Sequence, residues 1–307
     1  MWVILAFVSA LCLGFYDISK KISLRENAVV DVLTASVLIS SSILAVPLLL
    51  SRVVPETMQQ TLFYVPRLDM QAHLLTVLKS AIVLSSWVFG YISMKHLPIS
   101  VVNPWQATRP MWTLIGALLI FGERLNGWQW IGITLAIGSI LVFSFAQHKS
   151  QSSSIKSQIA NRYYVALALT ILIGACSGLY DKYMMRHYDH NAVQVYYTFY
   201  QSLMMLIVWG IYHRQHSTFN TQLSTLKKLP AIIMISVFLI ISDNVYMLAL
   251  RDPDSLIAIV STIRRGGAVI GFAYGLLFLR EQDPWKKVLA MTGVLAGLVC
   301  LALGTLH

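Results

Sequence analysis

Charge is scarce in this sequence of 307 residues: Asp, Glu, Lys and Arg make up 12% of it, with only 13 acids against 23 bases. A water-soluble chain of this length ordinarily devotes about 25% of its residues to charge, so a soluble globular domain is excluded. Cysteine is scarcer still, and 3 thiols provide neither a disulfide framework nor a zinc cluster. Cys12, Cys176 and Cys300 all fall inside apolar runs, where they read as small apolar fillers. No GxxxxGK[ST] stretch occurs, which leaves out a built-in nucleotide-driven motor. HExxH and GxSxG are also missing, and all 8 histidines fall in loops or near the ends of apolar runs, so an intramembrane enzyme is the weakest of the functional readings.

Apolar length is abundant instead. Hydrophobic residues make up 57% of the chain and the mean hydropathy is +0.67. A helical crossing needs roughly 20 apolar residues, and about ten such runs are present: Trp2–Ser19, Val32–Leu50, Ala72–Met94, Ile99–Phe121, Trp128–Ala146, Tyr163–Met184, Ala192–Tyr212, Ala231–Leu250, Ser255–Leu279 and Trp285–Leu306. The expected fold class is an all-α polytopic membrane protein of ten transmembrane helices. Met1 leads straight into the first run with no basic stretch before it, so that run is expected to be a retained helix and not a cleaved signal. No break between runs is long enough for a soluble domain, so binding or chemistry has to occur inside the helix bundle.

The net charge of +10 is spread over many short breaks and does not form a nucleic-acid patch. Counted alternately, the odd breaks hold 13 basic residues and the even ones 6, which by the positive-inside rule puts the odd breaks in the cytoplasm and both termini outside. The expected location is a bacterial inner membrane.

The chain also repeats itself. "CLGFYD" from Cys12 and "CSGLYD" from Cys176 agree at four of six places and lie 164 residues apart. Pro98 matches Pro253 and Arg109 matches Arg264, each 155 apart, and "FGER" aligns with "LREQ" so that Glu123 meets Glu281 at 158. Matches in one order with nearly constant spacing point to two copies of about five helices, at 1–147 and 163–307, joined by a linker at 148–162. An odd helix count inverts the second copy, an arrangement typical of secondary transporters.

The prolines opening each fourth helix, the glutamates closing it and the glycine-bearing helix that follows resemble the drug/metabolite transporter superfamily, specifically its EamA-like ten-helix family. The resemblance covers essentially the whole chain. It implies two inverted five-helix halves around a central cavity and movement of small metabolites, often outward; it also implies cytoplasmic termini, against the charge count, so orientation is open. Arg280 departs from the usual glycine before the glutamate, and arginines at mid-depth are not general features of that family.

Arg109 lies about ten residues into its run, roughly 15 Å from the start and near the bilayer midplane. Arg264 and Arg265 are at similar depth, Lys79 is shallower, and Asp243 is the one clear acid at that level. An arginine there costs about 2.5–3.5 kcal/mol on insertion scales, so it faces a cavity or an anion and not lipid. One arginine can pair with Asp243; the surplus cations then predict an anionic ligand. Trp105 and Trp112, at i−4 and i+3, are expected to wall Arg109, with lipid packing as an equal alternative. Pro104 and Pro110 disturb the backbone on either side of it. Asn244 and Tyr246 are further candidate contacts. Asp17 and Asp181, late in the first helix of each copy, read either as helix-end ion-pair partners or, with Asp243, as carriers of a coupling proton.

The leading expectation is a secondary transporter of a small organic anion or zwitterion, driven by exchange or protons, with a small-molecule substrate and the lipid bilayer as its partners and no cofactor. Export of cationic compounds on the membrane-embedded aspartates is the alternative.

Overall fold

A computed structural model describes the chain apart from residues 25–26, 98–101, 103–104, 107, 149–156, 216–226, 268–269, 271–288, 290–291, 294, 298, 302 and 305–307; for 140–148, 157–161 and 215 it describes the backbone alone. All regular structure among the described residues is helical: α1 (Trp2–Leu24), α2 (Val29–Val53), α3 (Pro55–Gln59), α4 (Met70–His96), α5 (Arg109–Gly116) continued by a π turn (Ala117–Phe121), α6 (Gly127–His148), α7 (Ser157–His187), α8 (His190–Gln215), α9 (Leu229–Arg251) and α10 (Ile257–Arg265). Five helical stretches, Trp2–Leu24, Val29–Val53, Met70–His96, Arg162–His187 and Leu229–Arg251, are long and apolar enough to cross a membrane. The protein is an integral membrane protein.

Helix ends differ from the sequence expectation where polar residues continue an apolar helix. α1 runs through Lys20 and Lys21 to Leu24, past the expected end at Ser19, and α7 begins at Ser157 inside the expected linker. The reason is energetic: in a bundle a helix continues while its backbone hydrogen bonds are satisfied, whatever the hydropathy of the last turns. Asp69 starts α4 by accepting a bond from the Ala72 amide at 3.3 Å. The expected run Trp285–Leu306 falls mostly outside the described residues, as do Glu281 and Arg280.

Three helix pairs dominate the packing: α1 on α9, α4 on α7 and α2 on α8. Each is clasped by buried serines. Ser9 Oγ donates to the Ser242 carbonyl at 2.8 Å and Ser242 Oγ returns a bond to the Ser9 carbonyl at 3.0 Å. Ser86 Oγ donates to the Thr170 carbonyl at 3.1 Å, and Ser202 Oγ to the Val37 carbonyl at 3.0 Å. Small hydroxyl residues let backbones approach within the bilayer, and each such bond contributes about 0.6 kcal/mol there. The close approach continues just past the end of α10, where a Cβ at Gly267 would strike the Ala10 carbonyl.

The largest apolar cluster occupies one end of the bundle and draws Ala6 and Ala10 from α1, Met184 from α7, Met247 and Leu250 from α9, and Ile257 and Val260 from α10. Glu123 closes the same end. The π turn finishes at Gly122, whose φ of 62° carries the chain through the left-handed region and aims the next side chain inward. Glu123 Oε1 then accepts from the Ile257 amide at 2.7 Å and Oε2 from the Ala258 amide at 3.3 Å. A carboxylate on the first free amides of α10 satisfies orphan donors and meets the positive end of the helix dipole. Lys182 holds the adjacent turn, donating to the carbonyls of Leu250 at 3.2 Å and Ser255 at 2.7 Å.

Candidate functional site

Beneath that apolar end lies a cavity of about 140 Å³. Its charged lining comes from six elements: Asp17 and Lys20 on α1, Lys79 on α4, Arg109 on α5, Asp181 on α7, Asp243 on α9, and Arg264 and Arg265 on α10. Each of these helices is apolar over most of its surface, and the charges are the exceptions its sequence carries to the bundle interior, where lipid does not reach them.

Half of these eight charged groups are paired with one another. Arg264 Nη2 forms an ion pair with Asp243 Oδ1, whose other oxygen accepts from the Tyr197 hydroxyl at 2.7 Å, and the guanidinium lies 4.1 Å over the Tyr246 ring. Lys79 Nζ is bound to Asp181 Oδ1 and sits 4.6 Å over the Tyr197 ring. The pairing Arg264–Asp243 answers the expectation that one arginine would be taken up by that acid.

Arg109 is different. Its Nη2 donates to the Thr170 carbonyl at 3.1 Å and to Ser86 Oγ at 3.5 Å, its Nε has no partner, and no carboxylate lies within ion-pair distance among the described residues. A backbone carbonyl and a hydroxyl are neutral acceptors, so the full positive charge remains. The guanidinium lies against α7 at Gly174, where a Cβ would run directly into it. α5 starts at Arg109 itself with Pro110 in its first turn, a position where the missing proline N–H costs nothing; Pro104 lies outside the described residues.

Gly174→Ala therefore separates position from stability. The added methyl has to push the Arg109 side chain off its seat, while alanine favours the helix over glycine by about 1 kcal/mol. The expected result is anion binding weakened at least tenfold in a protein that melts no lower than wild type, measured by calorimetric titration and thermal denaturation. Wild-type affinity would show that the seat is irrelevant.

Several sequence expectations need correction. Trp105 and Trp112 do not wall Arg109: they are 40% and 46% exposed and do not line the cavity, and Trp105 leans on Tyr164 with ring centroids 6.3 Å apart. Sharing a face at i−4 requires unbroken helix from Trp105 to Arg109, but Thr108 is a turn residue and α5 begins only at Arg109. Asn244 turns away as well, donating to Asn191 Oδ1 at 2.9 Å and Gln194 Oε1 at 2.8 Å. Asp243 is not the one acid at this depth, for Asp17 and Asp181 line the same cavity. Because α1 and α7 run on to Leu24 and His187, both aspartates lie about 10 Å inside their helices and not at the ends. Asp17 forms no ion pair among the described residues.

Lys20 was missed, since the expected first helix stopped at Ser19. It is 7% exposed, with Nζ 3.9 Å over the Tyr91 ring and 5.4 Å over that of Tyr16. The signal was its spacing of three from Asp17, which puts the two on one helix face. Gly174, Ser86 and Thr170 carried no sequence signal, being ordinary helix residues until Arg109 arrives beside them. Among the described residues no His, Cys, Asp and Glu group could hold a metal ion.

Comparison with known proteins adds the wider setting. Residues 1–145 match the EamA-like transporter family. No curated protein matches the chain. A solved crystal structure superposes on 98% of this chain and 96% of its own with a TM-score of 0.70 at 12% identity, a likeness of fold alone.

Proposed function

We propose, from the match of residues 1–145 to the EamA-like transporter family, a family of small-molecule transporters, that this protein is a secondary transporter of a small organic anion or zwitterion held at Arg109. The observation that carries the proposal is a guanidinium on the cavity wall with neutral acceptors only and an Nε left unpaired. A buried cation of this kind is costly unless something negative visits it.

Alternating access between two inverted five-helix halves is the mechanism we assign. Its support is the pairing of helices: exchanging the two halves turns the α1–α9 pair into α7–α4 and returns α2–α8 to itself, and it likewise exchanges α5–α7 with α10–α1. A two-fold relation of that sort lets the halves rock about a central site. Of the three aspartates, Asp17 is the one that can take a coupling proton without first breaking an ion pair. Export of cations is less well supported, because Asp181 and Asp243 already hold Lys79 and Arg264.

A thermal-shift comparison of the purified protein tests this reading with succinate, alanine and tetramethylammonium at equal concentration. Binding to the folded state alone raises the melting temperature. Succinate, and to a lesser degree alanine, is expected to raise it, with no response to the cation. A shift with tetramethylammonium alone would overturn the proposal.

A further inference from the structure

The charges around the cavity allow a finer statement about its ligand, one that rests on the anion-carrier reading. Two of the three acids are consumed in direct ion pairs, Asp181 with Lys79 and Asp243 with Arg264. Lys20, Arg109 and Arg265 then face a single carboxylate, Asp17, across the same space. The other titratable groups facing it, Tyr16, Tyr197 and Tyr246, are neutral phenols at physiological pH. The described lining therefore carries two positive charges more than negative ones.

We propose that the cavity is built for a compact dianion, a phosphate monoester or a short dicarboxylate, in preference to any monoanion or zwitterion. A ligand of two negative charges brings the lining to neutrality, a monoanion leaves one cation uncompensated, and a zwitterion leaves two. In a site shielded from water each uncompensated charge weighs far more than it would in solution. Size narrows the class further. A cavity of roughly 150 Å³ holds a benzene-sized molecule, and this one is about 140 Å³. The ligand part enclosed is thus about six heavy atoms, the size of a methyl phosphate. Ser177 and Ser261 line the same space and can donate hydroxyl hydrogen bonds to its oxygens, whereas the hydroxyls of Ser86, Thr113 and Thr170 already donate to backbone carbonyls.

Methyl phosphate and methyl sulfate test the charge at constant shape, because the sulfate is a monoanion throughout while the phosphate loses its second proton near pH 6. Titrated calorimetrically at pH 8 into the full-length purified protein, methyl phosphate is expected to bind at least tenfold tighter than methyl sulfate. Between pH 8 and pH 5 that ratio should collapse toward one as the phosphate becomes a monoanion. Lys20→Gln, which lowers the surplus to one, should shrink the preference at pH 8 without removing binding. Equal affinities at pH 8, or a preference unchanged by pH and by Lys20→Gln, would overturn the dianion assignment and leave the anion reading standing. Binding of neither probe, with tetramethylammonium bound instead, would overturn the anion reading itself.

Discussion

Arg109→Ala is expected to weaken anion binding by about 30-fold to several thousand-fold, the loss of about 2–5 kcal/mol that follows when one partner of a buried charge pair is truncated. The protein should fold unimpaired. Arg109 has neutral partners alone, the Thr170 carbonyl and Ser86 Oγ, so its removal leaves no buried counter-charge and takes away an uncompensated cation. The melting temperature of the ligand-free variant should match or exceed that of wild type. Calorimetric titration with succinate alongside a thermal melt measures both effects, and wild-type affinity would remove Arg109 from the site.

Arg264→Ala should behave in the opposite way, with stability as its main casualty. Asp243 is 8% exposed, and without Arg264 its carboxylate would keep only the Tyr197 hydroxyl. Breaking a buried ion pair by removing one partner costs about 3–5 kcal/mol, and for a chain of this size that corresponds to a fall in melting temperature on the order of 10 °C. Adding Asp243→Asn should recover most of the loss, because an amide can be buried where a lone carboxylate cannot. A single variant that melts like wild type, or a double variant no better than the single one, would mean the pair does not clasp α9 to α10. From the sequence both arginines look like equivalent anchors. The structure gives them different work, one open to a ligand and one holding two helices together.

That difference illustrates which information was local. Apolar length, the scarcity of acids to match the bases and the resemblance to the EamA-like transporter family, which residues 1–145 match, could all be read residue by residue, because hydropathy and spacing are properties of short segments. Lys20 was within reach of the same reasoning, had α1 been carried to Leu24. The aromatic walls were not, since Trp105 precedes the first turn of α5 and Trp112 faces outward.

The sequence by itself determined a helical membrane protein with more cations than anions inside its apolar runs, since burying about 20 apolar residues per span leaves the chain no other solvent. Only the tertiary structure decided which of the lining cations, among the described residues, are paired with a carboxylate and which are not. Arg264 meets Asp243 across 21 residues and Lys79 meets Asp181 across 102, while Arg109 settles on the bare backbone of Gly174. Ion pairing is governed by distance in space, and that distance is set by how α4, α5, α7, α9 and α10 pack on one another, which no local pattern records.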